Sequence, residues 1–163
     1  MSYWKHEIEG IDWTQYKLAE RETIFQHIAK TQGGGFEQPP YAIVWEDPNE
    51  PEKPARVTVP APAWWAMALH GGILPPVWVY HELKKDEAQP DFKRHTRGHL
   101  LHDTEPMGPM TEEEAMEYLL MKDVPAHVWA EKRNSVTFKI VPRSLIPSDR
   151  THRNAWKLKQ EAA

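Results

Sequence analysis

The pattern of apolar and polar positions predicts a first helix over residues 12–32. Asp12 and Gln15, three positions apart, match the capping box that starts many helices. A glycine triplet at 33–35 follows this stretch, and glycine commonly ends helices because it adopts the left-handed backbone conformation at little cost. The apolar positions expected to face the core are Trp13, Tyr16, Ile24, Phe25 and Ile28.

A second main helix is predicted over residues 111–121. Thr111 and Glu114 repeat the capping-box spacing. Three consecutive acidic residues fill the first turn, where the helix dipole favours negative charge. After a proline at position 125, residues 126–131 predict one further helical turn.

Residues 63–70 form a short stretch that is apolar all round, which predicts a buried helix. Its two adjacent tryptophans, Trp64 and Trp65, bury a large apolar area when they pack in a core. Tryptophan is also enriched among the central contacts of protein interfaces, so a role as partner anchors is the alternative. Core packing is the favoured interpretation.

Four short segments have the composition of strands: residues 41–45, 56–59, 77–80 and 135–141. Each is rich in β-branched or aromatic residues. The last segment alternates apolar and polar positions, which is typical of a strand with one face in water. Its residues expected to point inward are Val136, Phe138 and Ile140.

These elements predict a single α+β domain, in which a small, mainly antiparallel sheet packs with two main helices. The chain has 163 residues, 40% hydrophobic and 27% charged, which is ordinary for one folded domain. We expect a globular domain over residues 1–143, with a long surface loop at 84–110. A basic C-terminal segment, residues 144–163, follows it, and within it Ser148 is the expected cap of a basic C-terminal helix of about ten residues. No run of 18 apolar residues occurs, so no membrane-spanning helix is predicted.

Charge is distributed unevenly along the chain. The whole protein carries 20 basic and 24 acidic side chains, a net charge of -4. Residues 132–163 hold eight basic against two acidic side chains, a net charge of +6, which leaves -10 on residues 1–131. This asymmetry predicts an acidic partner for the basic end. Nucleic acid, another protein and the acidic body of the same chain all fit that description.

The sequence has no motif for covalent or cofactor-based catalysis. It contains no cysteine, which excludes disulfides, cysteine-ligated zinc and a thiol nucleophile. No serine lies in a nucleophile-elbow pattern, and no phosphate-binding or dinucleotide-binding fingerprint occurs. We therefore expect a protein that is not an enzyme and that uses no cofactor.

A histidine cluster leaves a metal site open as an alternative. On a helix, His95, His99 and His102 would share one face, and three imidazoles suit zinc or another transition metal. Gly98 weakens a helix at that place, and three neighbouring basic residues oppose a bound cation. The acidic connection between the first two strand segments is a second cation candidate, although solvated loop surface is favoured there. Its carboxylates are Glu46, Asp47, Glu50 and Glu52.

The C-terminal segment carries a run of residues with a distinctive spacing. Pro147, Asp149 and Arg150 precede His152, which is followed by Arg153-Asn154-Ala155-Trp156. The run resembles a segment of small proteins from tailed bacteriophages and prophages, in which the order is Pro, any residue, Asp-Arg, any residue, Phe-Arg-Asn-Ala-Trp. His152 departs from that order by standing in place of the phenylalanine. The resemblance implies a phage-encoded origin, and it carries over no activity and no catalytic residues.

From this resemblance and the lack of catalytic motifs we expect a non-enzymatic structural or interaction protein, a bacteriophage virion or assembly component. Its partners would be other phage structural proteins or a second copy of itself, in the virion or in the host cytoplasm during assembly. One alternative is a nucleic-acid-binding accessory protein that uses the basic segment. The other is a metal-dependent hydrolase at the three histidines. The expected contact residues are Arg150, Arg153, Trp156, Lys157, Trp64 and Trp65.

Overall fold

The chain folds as a mixed α+β protein, as predicted. The structure is a computed structural model, and it describes residues 10–31, 36–87, 103–129 and 137–146. Five α-helices and three β-strands are defined within those ranges. In chain order they are α1 (Leu18–Thr31), β1 (Tyr41–Trp45), β2 (Arg56–Thr58), α2 (Pro62–His70), α3 (Val77–Glu87), α4 (Glu112–Asp123), α5 (Ala126–Trp129) and β3 (Phe138–Pro142).

Internal contacts divide the chain into two units. The first consists of residues 1–38 and 61–115, and the second of residues 39–60 and 116–163. The domain boundary expected at residue 143 stays a prediction, because most of the segment after it lies outside the described residues.

The first unit begins with a 3₁₀ helix, Trp13–Gln15, that is separate from α1. Asp12 caps this short helix, since its side chain accepts a hydrogen bond from the Thr14 backbone N–H at 3.2 Å. Tyr16 then adopts an extended conformation, which interrupts the helical path. The single helix predicted over residues 12–32 is therefore two helices. Asp12 caps only the 3₁₀ helix, which ends at Gln15, and α1 begins separately at Leu18.

α2 ends at two glycines, and a later part of the chain lies against that end. Gly71 and Gly72 have φ angles of 80° and 78°, which side-chain-bearing residues rarely adopt. Three backbone hydrogen bonds of 2.8 to 3.0 Å join residues 107–110 to residues 68–74. At Gly71 the two segments are so close that a Cβ atom would lie 2.6 Å from Pro109 Cδ. Glycine is thus required at position 71 by its positive φ and by the lack of space for a Cβ atom beside Pro109.

Residues 77–80 were the third predicted strand, and this prediction is wrong because they form the first turn of α3. Four apolar residues are too few to separate a strand from a helix by periodicity. Two prolines precede the helix, where their fixed φ favours its start, and Val79 N–H donates to Pro76 O at 3.0 Å. The residues that follow include glutamate, leucine and two lysines, which are strong helix formers. Trp78 is left 47% exposed.

The loop predicted over residues 84–110 differs from the structure at both ends. Residues 84–87 continue α3. At the other end, residues 107–110 are hydrogen-bonded beside the end of α2 rather than free. Residues 88–102 lie outside the described part of the chain.

α4 has the start that its sequence predicts. Thr111 N–H donates to Glu114 Oε1 and Glu114 N–H donates to Thr111 Oγ1, each at 3.1 Å, which is a reciprocal capping box. After α4, the short helix α5 confirms a further turn. Its Trp129 Nε1 donates to Val124 O at 3.0 Å, which ties α5 to the end of α4.

The second unit contains a three-stranded antiparallel sheet in the order β2-β1-β3. The strands predicted at 41–45 and 56–59 are confirmed as β1 and β2, and β3 overlaps the segment predicted at 135–141. The register sets Ile43 opposite Thr58 on one side and opposite Ile140 on the other. The sheet is antiparallel as expected, with three described strands rather than four because α3 is helical.

Candidate interaction surface

β3 lies at an edge of the sheet, since β1 pairs with one side of it and no described strand pairs with the other. Its ladder with β1 runs through all of its residues, from Phe138 opposite Trp45 to Pro142 opposite Tyr41. Proline cannot donate a backbone hydrogen bond, and within sheets it is confined mainly to edge strands. Among the described residues, the outer side of β3 therefore has no strand partner.

The ladder also determines which backbone groups of β3 face outward. Thr137 O accepts from Glu46 N–H at 2.9 Å before the strand, and Pro40 O accepts from Arg143 N–H at 2.7 Å after it. Hydrogen-bonded pairs alternate along antiparallel strands, so every second residue between Thr137 and Arg143 bonds to β1. The residues whose N–H and C=O groups point away from β1 are Phe138 and Ile140.

Two apolar side chains of this stretch are exposed to solvent. Ile140 is 40% exposed, and Leu145, in the 3₁₀ helix Arg143–Leu145 after the strand, is 67% exposed. We call this surface the β3 edge: the outer backbone of Phe138–Pro142 with the side chains of Ile140 and Leu145. The chain runs directly from it into the basic C-terminal segment.

The inward position predicted for Ile140 is wrong, whereas Phe138 on the same face is buried as expected. Ile43, opposite Ile140 on the central strand, is fully buried. The alternation predicts correctly which face Ile140 occupies, but the cover over that face reaches Phe138 and not Ile140. Val136 lies outside the described residues.

The acidic connection between β1 and β2 is held by ion pairs. Glu50 accepts from Lys53 Nζ at 2.7 Å and from Arg56 at 2.9 Å. The Arg56 guanidinium also lies over the Trp45 ring, 4.9 Å from the ring centre, a cation–π contact. The hydrogen bond from Lys53 is the main reason that the pKa of Glu50 lies below its usual value. This carboxylate therefore fastens the connection to β2.

A second carboxylate of the connection contacts α5. Asp47 Oδ1 lies 2.8 Å from His127 Nε2 and also accepts from the Asn49 backbone N–H at 2.9 Å. The Asn49 hydrogen bond, and then the His127 hydrogen bond, lower the pKa of Asp47. This contact joins two residues that are 80 positions apart in the chain, so it stabilises the second unit. The Asp47 carboxylate therefore already has partners within the protein.

The cation site considered for this connection has no matching geometry in the described residues. No group of three histidine, aspartate or glutamate side chains among them is placed to hold a metal ion. Asp47 and Glu50 instead bind cationic or N–H partners of the protein itself. The connection is therefore a paired, structured surface.

The structure places only two of the sequence-predicted site residues. Trp64 and Trp65 of α2 are 8% and 6% exposed, so both belong to the buried side chains of the first unit. A role for them as partner anchors stays a prediction. The remaining predicted residues lie outside the described part of the chain: Arg150, Arg153, Trp156, Lys157, His95, His99 and His102.

The first unit also has a shallow depression on one face of α1. Its lining consists of Tyr16, Ala19, Glu20, Thr23 and Ile24. Its titratable side chains are the Glu20 carboxyl and the Tyr16 phenol, and the other lining residues are alanine, threonine and isoleucine. This lining by itself assigns no chemistry to the depression.

Comparison of the chain with known protein families, with curated proteins and with solved structures gave no match. No described helix is long and apolar enough to cross a membrane. The site is thus argued from its own geometry. Sequence analysis missed Ile140 and Leu145 as surface residues, and the one signal that points to them is Pro142, which marks β3 as an edge strand.

Proposed function

We propose that this protein is a non-enzymatic interaction protein, a bacteriophage virion or assembly component, and that it contacts its partners through the β3 edge and the basic segment that follows. The observation that carries the proposal is the exposure of Ile140 on an edge strand and of Leu145 in the 3₁₀ helix after it, where the basic segment begins. An exposed edge with apolar side chains is a common template for pairing with another chain.

The polar side chains of the second unit support a binding role over catalysis. Asp47, Glu50, Arg56 and His127 form contacts with one another or with nearby backbone, and these contacts hold loops in place. The depression on α1 contains none of these groups. The resemblance of residues 147–156 to phage proteins supports the virion or assembly setting.

The test is incorporation of variants into particles made by a host that carries the corresponding phage. Leu145→Asp places a charge on the most exposed apolar side chain of the β3 edge, and we expect it to reduce the amount of the protein in purified particles. Val59→Asp is the matched control, because Val59 is 36% exposed in the same unit but follows β2. Deletion of residues 144–163 should abolish incorporation.

Normal incorporation of both Leu145→Asp and the deletion variant would show that this surface is not the contact site. Both variants should be compared with the unaltered chain by circular dichroism, so that a loss of incorporation is not mistaken for unfolding. Binding of the basic segment to DNA, with affinity that falls steeply as salt rises, would instead favour the nucleic-acid alternative.

A further inference from the structure

We propose that the β3 edge pairs with the β3 edge of a second copy of this chain, antiparallel and about a two-fold axis beside Ile140. The inference rests on the proposed function, because it takes the same surface as the contact site and names its partner. The two sheets would join into one, with the two β3 strands at its centre. Such an interface uses the same patch on both copies, as two-fold dimers do.

The outward backbone groups are self-complementary in this arrangement. Ile140 N–H donates to the carbonyl of Ile140 in the second copy, and the reverse bond forms by symmetry. On each side of the axis, Phe138 N–H donates to the carbonyl of Pro142. Pro142 has no N–H that could donate to the Phe138 carbonyl of the other copy. That carbonyl therefore stays hydrated at the edge of the interface. Pairing thus satisfies every outward N–H of β3.

Side-chain charge selects this register over its neighbours. With Ile140 at the axis, the two exposed Ile140 side chains face each other and Lys139 lies opposite Val141. A shift of one residue towards the start of β3 would set Lys139 against Lys139, and like charges directly opposite each other are destabilising. A shift the other way would set Lys139 against Arg143. Of these three registers, only the one centred on Ile140 avoids placing Lys139 opposite another cation.

Within one copy, Arg143 and the start of the acidic connection lie at opposite ends of β3. Arg143 follows β3 and bonds to Pro40, whereas the acidic connection starts at Glu46, which bonds to Thr137 before β3. At about 3.4 Å per residue, these two ends are about 20 Å apart.

Antiparallel pairing brings these charges together between copies. In the proposed register Arg143 lies opposite Thr137 of the second copy, so each basic end starts beside the other copy's acidic connection. Residues 143–163 hold five basic and two acidic side chains, and residues 46–55, the whole acidic connection, hold four acidic side chains and one basic side chain. This charge complementarity favours a second copy as the occupant of the β3 edge, and it predicts a dimer that weakens as salt rises.

The first experiment measures the oligomeric state of the full chain by sedimentation velocity over a range of concentrations. We expect a reversible dimer. Ile140→Lys places two ammonium groups against each other at the axis and should raise the dissociation constant about tenfold or more. Val59→Lys, at a similarly exposed position after β2, should leave the dissociation constant unchanged. Monomeric unaltered chain at every concentration, or equal effects of the two variants, would overturn the proposal.

The second experiment tests the register and uses the lack of cysteine in the natural chain. Under mild oxidation, Ile140→Cys should give a disulfide-linked dimer, because directly opposite residues bring their Cα atoms within about 5.5 Å. Lys139→Cys should not, because its equivalents are offset by two residues along the strands, which sets their Cα atoms about 8 Å apart, beyond the about 7 Å that a disulfide spans. Cross-linking of Lys139→Cys but not Ile140→Cys, or of neither, would contradict the pairing.

These outcomes separate this inference from the proposed function. A monomeric chain that still enters particles overturns the self-pairing and leaves the interaction role intact. A dimeric chain that is absent from particles supports the pairing and counts against the virion assignment.

Discussion

Replacing Gly71 by alanine tests the most constrained contact of the first unit. At φ of 80° an added Cβ would lie 2.6 Å from Pro109 Cδ and 2.7 Å from Pro109 Cα. Gly72 is a matched control, since its φ is 78° but a Cβ there would meet nothing within 4 Å. Both substitutions place a Cβ-bearing residue at positive φ, and only Gly71→Ala adds a clash.

The expected magnitudes follow from these two geometries. A left-handed backbone costs a residue with a Cβ about 1–2 kcal/mol, which is the whole effect expected for Gly72→Ala. In Gly71→Ala the segment at 107–110 must also move away from α2. This movement lengthens or breaks its three backbone hydrogen bonds to residues 68–74. At about 1 kcal/mol each, their loss brings the total to about 4–5 kcal/mol.

Urea unfolding of both variants, with hydrogen exchange as a local probe, measures these effects. Gly71→Ala should lower the free energy of unfolding by about 3 kcal/mol more than Gly72→Ala. It should also speed exchange at the amides of Gly72, Met107 and Met110, whose bonds join the two segments. Equal losses of stability in the two variants, with unchanged exchange at these amides, would refute the reasoning.

Three further predictions concern other parts of the chain. Thr111→Ala removes one bond of the α4 capping box and should cost about 1 kcal/mol in urea unfolding; no change would mean that α4 does not depend on its cap. Asp47 has a lowered pKa in the folded state, so its stabilising contribution is present above about pH 3.9 and is lost as pH falls through the folded value. Asp47→Asn should therefore show a smaller loss of stability on acidification than the unaltered chain, and parallel pH profiles would contradict this. Protein purified without a histidine tag should lack stoichiometric zinc by elemental analysis, and one bound equivalent that is lost in a His95→Ala variant would favour the hydrolase alternative.

Elements with local signals could be predicted from the sequence, because their causes lie within a few residues. The Thr111–Glu114 capping box is one example, and the strand at 41–45 is another. Residues 77–80 failed because a four-residue apolar run fits either a strand or a helix, and the prolines before it decided the outcome. Asp12 is an intermediate case: its cap formed, but the chain left the helical path at Tyr16.

The candidate site was less accessible to sequence reasoning, because its character depends on which strand lies at the edge of the sheet. Alternation assigns Ile140 and Phe138 to one face, but it does not show that the cover over this face ends before Ile140. Contacts such as Asp47 with His127 join positions 80 residues apart, and no local pattern reveals them. The basic segment was visible only through its charge and its spacing of residues.

Quantitative mass spectrometry of purified phage particles tests the central claim most directly. We expect this chain in the particles at a fixed copy number, which should be even if the β3 edges pair. Absence from particles, with the protein abundant in the infected cells, would contradict the virion assignment. The assembly-factor and nucleic-acid roles would then be the ones to examine.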